Sequence, residues 1–235
     1  MRRVRRLRRG GNNMPTALLL VFEVVGTVAF AISGAIIAMQ HKLDYFGIFL
    51  LAVTTSIGGG VLRDVILGVS PPVGLVNPMY LIVASITTFL LLALGRFRRF
   101  VNGGSPVYTW SYYISDALGL GVFTVIGVDA AISAGYEKQG FLCIFVAMLT
   151  GVGGGMIRDI LVQRIPVILR REIYALASVA GALLYYLARM YIPHSIAVLL
   201  SVVLTVSIRM LSLYFNIHVP SIASQEDQEK PNPSE

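Results

Sequence analysis

The sequence predicts an all-α integral membrane protein of seven transmembrane helices, built as two inverted three-helix repeats plus a seventh helix. Three observations carry this prediction. Of the 235 residues, 56% are hydrophobic and only 13% charged, about half the charged fraction of a soluble domain, and the mean hydropathy is +0.75. Seven apolar stretches meet or approach the ~20 residues needed to cross a hydrocarbon core. A glycine-rich motif ending in Arg-Asp occurs twice, 95 residues apart.

The apolar stretches run over residues 16–39, 44–69, 78–95, 111–133, 139–162, 171–189 and 193–213. Between them lie short turn signals: His41-Lys42-Leu43-Asp44, Pro71-Pro72 with Asn77-Pro78, Asn102-Gly103-Gly104-Ser105-Pro106, residues 135–139, residues 164–171 and Tyr191-Ile192-Pro193. Connections this short leave no room for a soluble catalytic domain, so no enzyme is expected. The first stretch follows an arginine-rich leader and contains Ala29-Phe30-Ala31, which resembles a signal-peptide cleavage site. Glu23 interrupts it, however, and a counterpart in the second repeat marks it as a span. Residues 1–13 read as a basic leader, and Met14-Pro15-Thr16 makes a beginning in its own right.

The formal charge of +7 describes that leader, which holds Arg2, Arg3, Arg5, Arg6, Arg8 and Arg9. Without those six, 13 basic residues face 12 acidic ones, so the body offers no nucleic-acid surface. One cysteine, Cys143, excludes a disulfide framework and CxxC metal or redox motifs. Loop charge predicts orientation. Lys42, Arg96, Arg98, Arg99, Arg164, Arg170 and Arg171 lie on one side, and Lys138 and Arg189 on the other. An outside N-terminus and a cytoplasmic C-terminus in a prokaryotic plasma membrane are expected. Residues 216–235 read as a disordered acidic tail.

The repeat is explicit. Thr55-Ser56-Ile57-Gly58-Gly59-Gly60-Val61-Leu62-Arg63-Asp64 aligns with Thr150-Gly151-Val152-Gly153-Gly154-Gly155-Met156-Ile157-Arg158-Asp159, and Pro71 falls on Pro166. At an offset of 93, Glu23 aligns with Asp116, Gly26 with Gly119 and Phe30 with Phe123. The units are residues 14–100 and 101–190, followed by the seventh helix over 191–215. Three spans per copy force the second copy to enter the membrane from the opposite side. Inverted repeats with glycine-interrupted helices at equivalent places point to a transport path at their interface.

Three glycines in a row cost a helix about 1 kcal/mol each relative to alanine. Close helix packing is one explanation. A broken helix lining a polar path is the other, and the duplication, with Arg-Asp following, favours it. Gly58, Gly59, Gly60, Gly153, Gly154 and Gly155 are therefore candidate hinges. Glu23, Arg63, Asp64, Asp116, Arg158 and Asp159 are candidate pore charges, since ionisable groups are rare in spans and usually functional. Neighbouring helical residues point about 100° apart, so Arg63 is expected to pair with Glu23 rather than Asp64. At 1.5 Å per residue, Arg63 and Glu23 share a depth near one surface, and Arg158 with Asp116 should match them near the other. Asp64 and Asp159 would then be free to favour cations, unless all these charges merely hold helices together.

Weaker candidates fall away. The glycines lack P-loop spacing, and His41, His194 and His218 have no i, i+4 partner for a metal. Asp129 reads as an interfacial charge. Trp110, Tyr112-Tyr113, Tyr185-Tyr186 and Tyr191 read as interfacial anchors. Arg170-Arg171-Glu172 reads as a solvated run able to meet lipid headgroups. Arg209 must find a carboxylate, a carbonyl or the interface.

Two copies of GGGxxRD, the segment RREIYALASVAGALLYYLA over 170–188 and the 3+3+1 plan resemble the prokaryotic trimeric intracellular cation (TRIC) channels, also catalogued as glycine-transporter-type repeat proteins. The resemblance covers roughly residues 14–213. It implies a homotrimer in membrane lipid, with one pore per protomer for monovalent cations, chiefly K+, between the repeats, gated where spans 2 and 5 bend at the glycines. It implies no cofactor beyond permeant K+ or Na+ and bound lipid. The lysine-containing lipid-binding motif of the animal members is not found here, so phosphoinositide control is not carried over. A second reading, a secondary transporter for a small zwitterion such as glycine, stays open because inverted repeats serve both classes.

Overall fold

The computed structural model describes residues 16–93, 106–170 and 172–215. The leader, the loop arginines Arg96, Arg98 and Arg99, Arg171, His218 and the acidic tail lie outside them. Among the described residues the regular structure is entirely helical. The helices are α1 (Thr16–Gln40), α2 (Tyr45–Ile66), a single turn α3 (Val73–Val76), α4 (Pro78–Ala93), α5 (Pro106–Ala131), α6 (Gly140–Leu161), a second single turn α7 (Val167–Arg170), α8 (Glu172–Ala188) and α9 (His194–Tyr214). Five are long and apolar enough to cross a membrane: α1, α2, α5 with its π-helical end over Ile132–Tyr136, α6 and α9. α4 and α8 are apolar but shorter.

Local chemistry sets several ends. Asp44 caps α2 by accepting the Gly47 amide at 2.7 Å. α5 opens earlier than its apolar stretch because Pro106 suits a first helical position, where no amide partner is needed. After α2 the chain turns through Gly68 at φ +70°, and after α6 through Gln163 at φ +55°. These two positions are 95 residues apart, like the motifs that precede them.

The helices α1, α2, α6 and α5 form a ring in which each packs on its two neighbours. α4 covers α1 and α2, α8 covers α5 and α6 in the same manner, and α9 packs on α5 and α8. One half thus repeats the plan of the other. The halves meet where α2 crosses α6. A Cβ added to Gly59 would stand 2.1 Å from the Thr150 carbonyl oxygen, and one on Gly154 would stand 2.2 Å from that of Thr55. Residue numbers rise along one helix as they fall along the other, so α2 and α6 run antiparallel through this contact.

The crossing corrects one expectation. α2 and α6 are continuous α-helices through both glycine triplets, so the helices are not broken there. With no side chain, Gly59 and Gly154 let each backbone approach the other's carbonyl, which no other residue permits. Close packing thus accounts for the central glycine of each triplet, Gly59 and Gly154.

The outer faces of α4, α8 and α9 expose Ile86, Phe89, Leu183, Leu187, Leu199 and Val203. Apolar surface of this extent suits lipid rather than water.

Candidate functional site

Each Arg-Asp pair sits one turn beyond the glycine crossing, on the way out of the ring. Since α2 and α6 are antiparallel, Arg63 and Arg158 leave the crossing in opposite directions, each roughly 6 Å along its helix. Two charged clusters result, one toward each end.

Within each pair the adjacent residues bond, contrary to expectation. Arg63 Nε donates to Asp64 Oδ1 at 2.8 Å, and Arg158 Nε donates to Asp159 Oδ1 at 3.0 Å. A guanidinium on a flexible stem can curl across the 100° between neighbours. Nor are the aspartates free. Asp64 Oδ2 accepts the Val73 amide at 2.7 Å, and Asp159 Oδ2 accepts the Val167 amide at 3.1 Å. Each therefore fastens its arginine to the first amide of the single-turn helix that follows, α3 or α7. That is a positioning task, performed identically in both halves.

The α6 end is packed tight. Arg158 is 0% exposed. Its Nη1 donates to Asp116 Oδ1 at 2.7 Å and to Ser33 Oγ, and its Nη2 donates to Tyr112 Oη at 3.0 Å. Ser33 Oγ also donates to Asp116 Oδ1 at 3.3 Å. Asp116, Arg158 and Asp159 are thus brought together, with α1, α5 and α6 all supplying ligands to one guanidinium.

The α2 end keeps the same plan but is open. Arg63 is 8% exposed and lines a cavity of about 220 Å³ with Glu23, Asp64 and Asp129. The Tyr80 side chain lines a smaller neighbouring pocket together with Glu23 and Arg63. The cavity has a local cause. At the repeat offset of 93, Ser33 corresponds to Ile126 and Tyr112 to Leu19, and both Ile126 and Leu19 line this cavity. The hydroxyls that fill the space around Arg158 are replaced by apolar side chains that leave space beside Arg63.

Other assignments change as well. Asp129 is no interfacial charge: it is 4% exposed and accepts a bond from Tyr185 Oη at 3.3 Å. Tyr112 and Tyr185 are buried polar partners rather than membrane anchors. A paired tyrosine near a span end has the composition of an aromatic belt, so only the tertiary contact separates the two roles. Arg209 lies over the Tyr174 ring, with Cζ 4.7 Å from the centroid. Ser33, Tyr80 and Tyr174 escaped the sequence reading because single hydroxyls in an apolar span carry no pattern. The six glycines stand at the crossing: Gly58, Gly59, Gly153 and Gly154 within the contact, and Gly60 and Gly155 beside Arg63 and Arg158 respectively.

Charged residues in span-length apolar helices, arranged in two equivalent halves, define a multi-pass membrane protein. Likeness to solved structures and to curated relatives gives it the TRIC cation channel fold and a bacterial membrane. The chain belongs to the glycine transporter family, whose model matches it in two stretches, residues 20–96 and 113–190. It is 36% identical over 212 residues to the UPF0126 inner membrane protein YadS of Escherichia coli K12, a match covering 89% of this chain and 99% of the relative. It is 32% identical over 203 residues to the UPF0126 membrane protein YvgT of Bacillus subtilis, covering 86% and 95%. A prokaryotic TRIC channel crystallised in 0.5 M KCl superposes with a TM-score of 0.78 at 31% identity, over 87% of this chain and all of the other. The TRIC orthologue of Rhodobacter sphaeroides gives 0.76 at 27% identity, over 86% and 100%.

Proposed function

We propose that the chain is a homotrimeric channel for monovalent cations, chiefly K+, with one pathway per protomer between the two inverted repeats. One observation carries the reading. Two arginines at equivalent positions, each with its carboxylates, guard opposite ends of one helical ring, and one of them faces a cavity. The cavity's charged lining comprises three carboxylates against one guanidinium, a balance that attracts cations. α4 and α8 complete the seven spans, and the loop charge puts the C-terminus in the cytoplasm. The charged residues Glu23, Arg63, Asp64, Asp116, Arg158 and Asp159 border the pathway, and the Arg158 cluster is its closed end. The glycine crossing holds the repeats together between the two.

The description of the matched family favours a second reading, secondary transport of a small zwitterion such as glycine. Planar-bilayer recording under asymmetric KCl separates the two. A channel gives unitary current steps that reverse near the K+ equilibrium potential, whereas a transporter gives saturable solute uptake without steps.

A further inference from the structure

The two halves hold equivalent acids and equivalent tyrosines in different surroundings. Tyr80 is the third residue of α4 and Tyr174 the third of α8, and they flank the equivalent acids Glu23 and Asp116. In the open half, Tyr80 and Glu23 line one pocket with Arg63. In the closed half, Tyr174 Oη and Asp116 Oδ2 are both buried and both without a partner. Both border the same spot on α6: a Cβ built on Gly155 would lie 3.3 Å from Tyr174 Oη, 3.4 Å from Arg158 Nη2 and 3.7 Å from Asp116 Oδ1. The difference is one of length and competition. Glu23 carries one methylene more than Asp116, and Asp116 is drawn toward Arg158 and Ser33. A buried hydroxyl and a buried carboxylate oxygen left unbonded are costly, so this geometry stores a bond not yet made.

Resting on the channel reading, we propose that Tyr174 is the second partner of Asp116. Opening of the Arg158 end moves Asp116 from Arg158 and Ser33 to the Tyr174 hydroxyl, matching in the second repeat the juxtaposition of Tyr80 and Glu23 in the first. Arg209, stacked on the Tyr174 ring, is the positioning residue that keeps the hydroxyl in reach. It comes from α9, which belongs to neither repeat, and so the seventh helix gains a role in gating.

The test is single-channel recording of the full chain in planar bilayers with KCl. Tyr174→Phe keeps the ring under Arg209 and removes only the hydroxyl. Open probability should fall about fivefold, the worth of one ordinary hydrogen bond, with unitary current unchanged. Asp116→Glu, which reaches as far as Glu23 does, should raise open probability, and adding Tyr174→Phe should abolish that gain. Arg209→Gln should lower open probability and Arg209→Lys should restore most of it. Wild-type open probability in Tyr174→Phe overturns the inference even if Asp116→Glu does not fold, and so does an equal gain from Asp116→Glu with and without the hydroxyl. Unitary currents without this coupling refute the Tyr174 partnership alone. If the unaltered protein carries no unitary current, the channel reading falls and the inference falls with it.

Discussion

Phe30 and Phe123, equivalent residues of the two repeats, stack on each other with ring centroids 5.2 Å apart. Each ring also rests on the glycine four residues before the other: Phe30 on Gly119, and Phe123 on Gly26. A residue that touches its own equivalent lies at the axis relating the halves. The axis therefore passes between α1 and α5 here and between α2 and α6 at the glycine crossing, which places it through the middle of the ring. The two arginine clusters stand on either side of it.

The crossing makes a sharp stability prediction. Gly59→Ala and Gly154→Ala each push a methyl group into a backbone carbonyl that cannot rotate away. Each should cost about 1–3 kcal/mol as overpacking, seen as a lower thermal midpoint in detergent. Gly60→Ala is the comparator, since its nearest neighbour would be Arg63 Nη2 at 3.8 Å. It should be neutral or slightly stabilising, because alanine favours the helix by about 1 kcal/mol. Equal losses at all three positions would mean that the close approach is not what the glycines provide.

Removing the two arginines should have unequal effects. Arg158→Gln leaves Asp116 and Asp159 buried without their cation, a loss of about 3–5 kcal/mol for a broken buried pair. Arg63→Gln borders a cavity that can admit water to Asp64 and Glu23, so its cost should be smaller. Thermal unfolding of the two variants side by side decides this. A larger loss at Arg63 would refute the contrast between a packed end and an open one.

The equivalent left-handed positions give a backbone test free of packing. Gln163 holds φ +55° at a site where the other repeat has Gly68. Gln163→Gly should stabilise the protein by about 1 kcal/mol, and Gly68→Ala should destabilise it by a similar amount. Nothing stands within 4 Å of a Cβ on Gly68, so steric crowding cannot supply the loss. The signs of the two midpoint shifts check the assignment.

Cys143 provides a reporter for all these variants. The thiol is buried within α6 and is the sole cysteine of the chain. A maleimide should label it slowly in the folded protein and fast after denaturation. Rapid labelling of the folded protein would show that the α6 environment is looser than described.

The repeat and the helices were legible in the sequence because both rest on patterns that survive projection onto one dimension. Identical residues at fixed offsets announced the duplicated motif, and apolar length announced the spans. The pairing of Asp116 with Arg158 followed from depth alone. The bond between Arg63 and Asp64 did not, because helical angles describe where Cβ points and not where a long guanidinium ends. The close packing at the central glycines was hidden for a related reason. Their helical cost is visible locally, whereas the gain, a carbonyl at contact distance, lies on another helix at Thr150 for Gly59 and at Thr55 for Gly154. Ser33 and Tyr112 show the same limit, since each matters only for what it brings to an arginine on another helix.

The antiparallel crossing bears on where such a chain came from. A contact in which Gly59 meets the Thr150 carbonyl while Gly154 meets that of Thr55 is isologous, as in a twofold homodimer. A single three-helix ancestor carrying one copy of the motif could have made it with a second copy of itself inserted the other way up. Fusion of two such genes would relieve both copies of the need to be identical. Ser33 opposite Ile126, Tyr112 opposite Leu19, and Asp116 opposite Glu23 are the divergences by which one half came to fill the space around its arginine and the other to leave a cavity beside it.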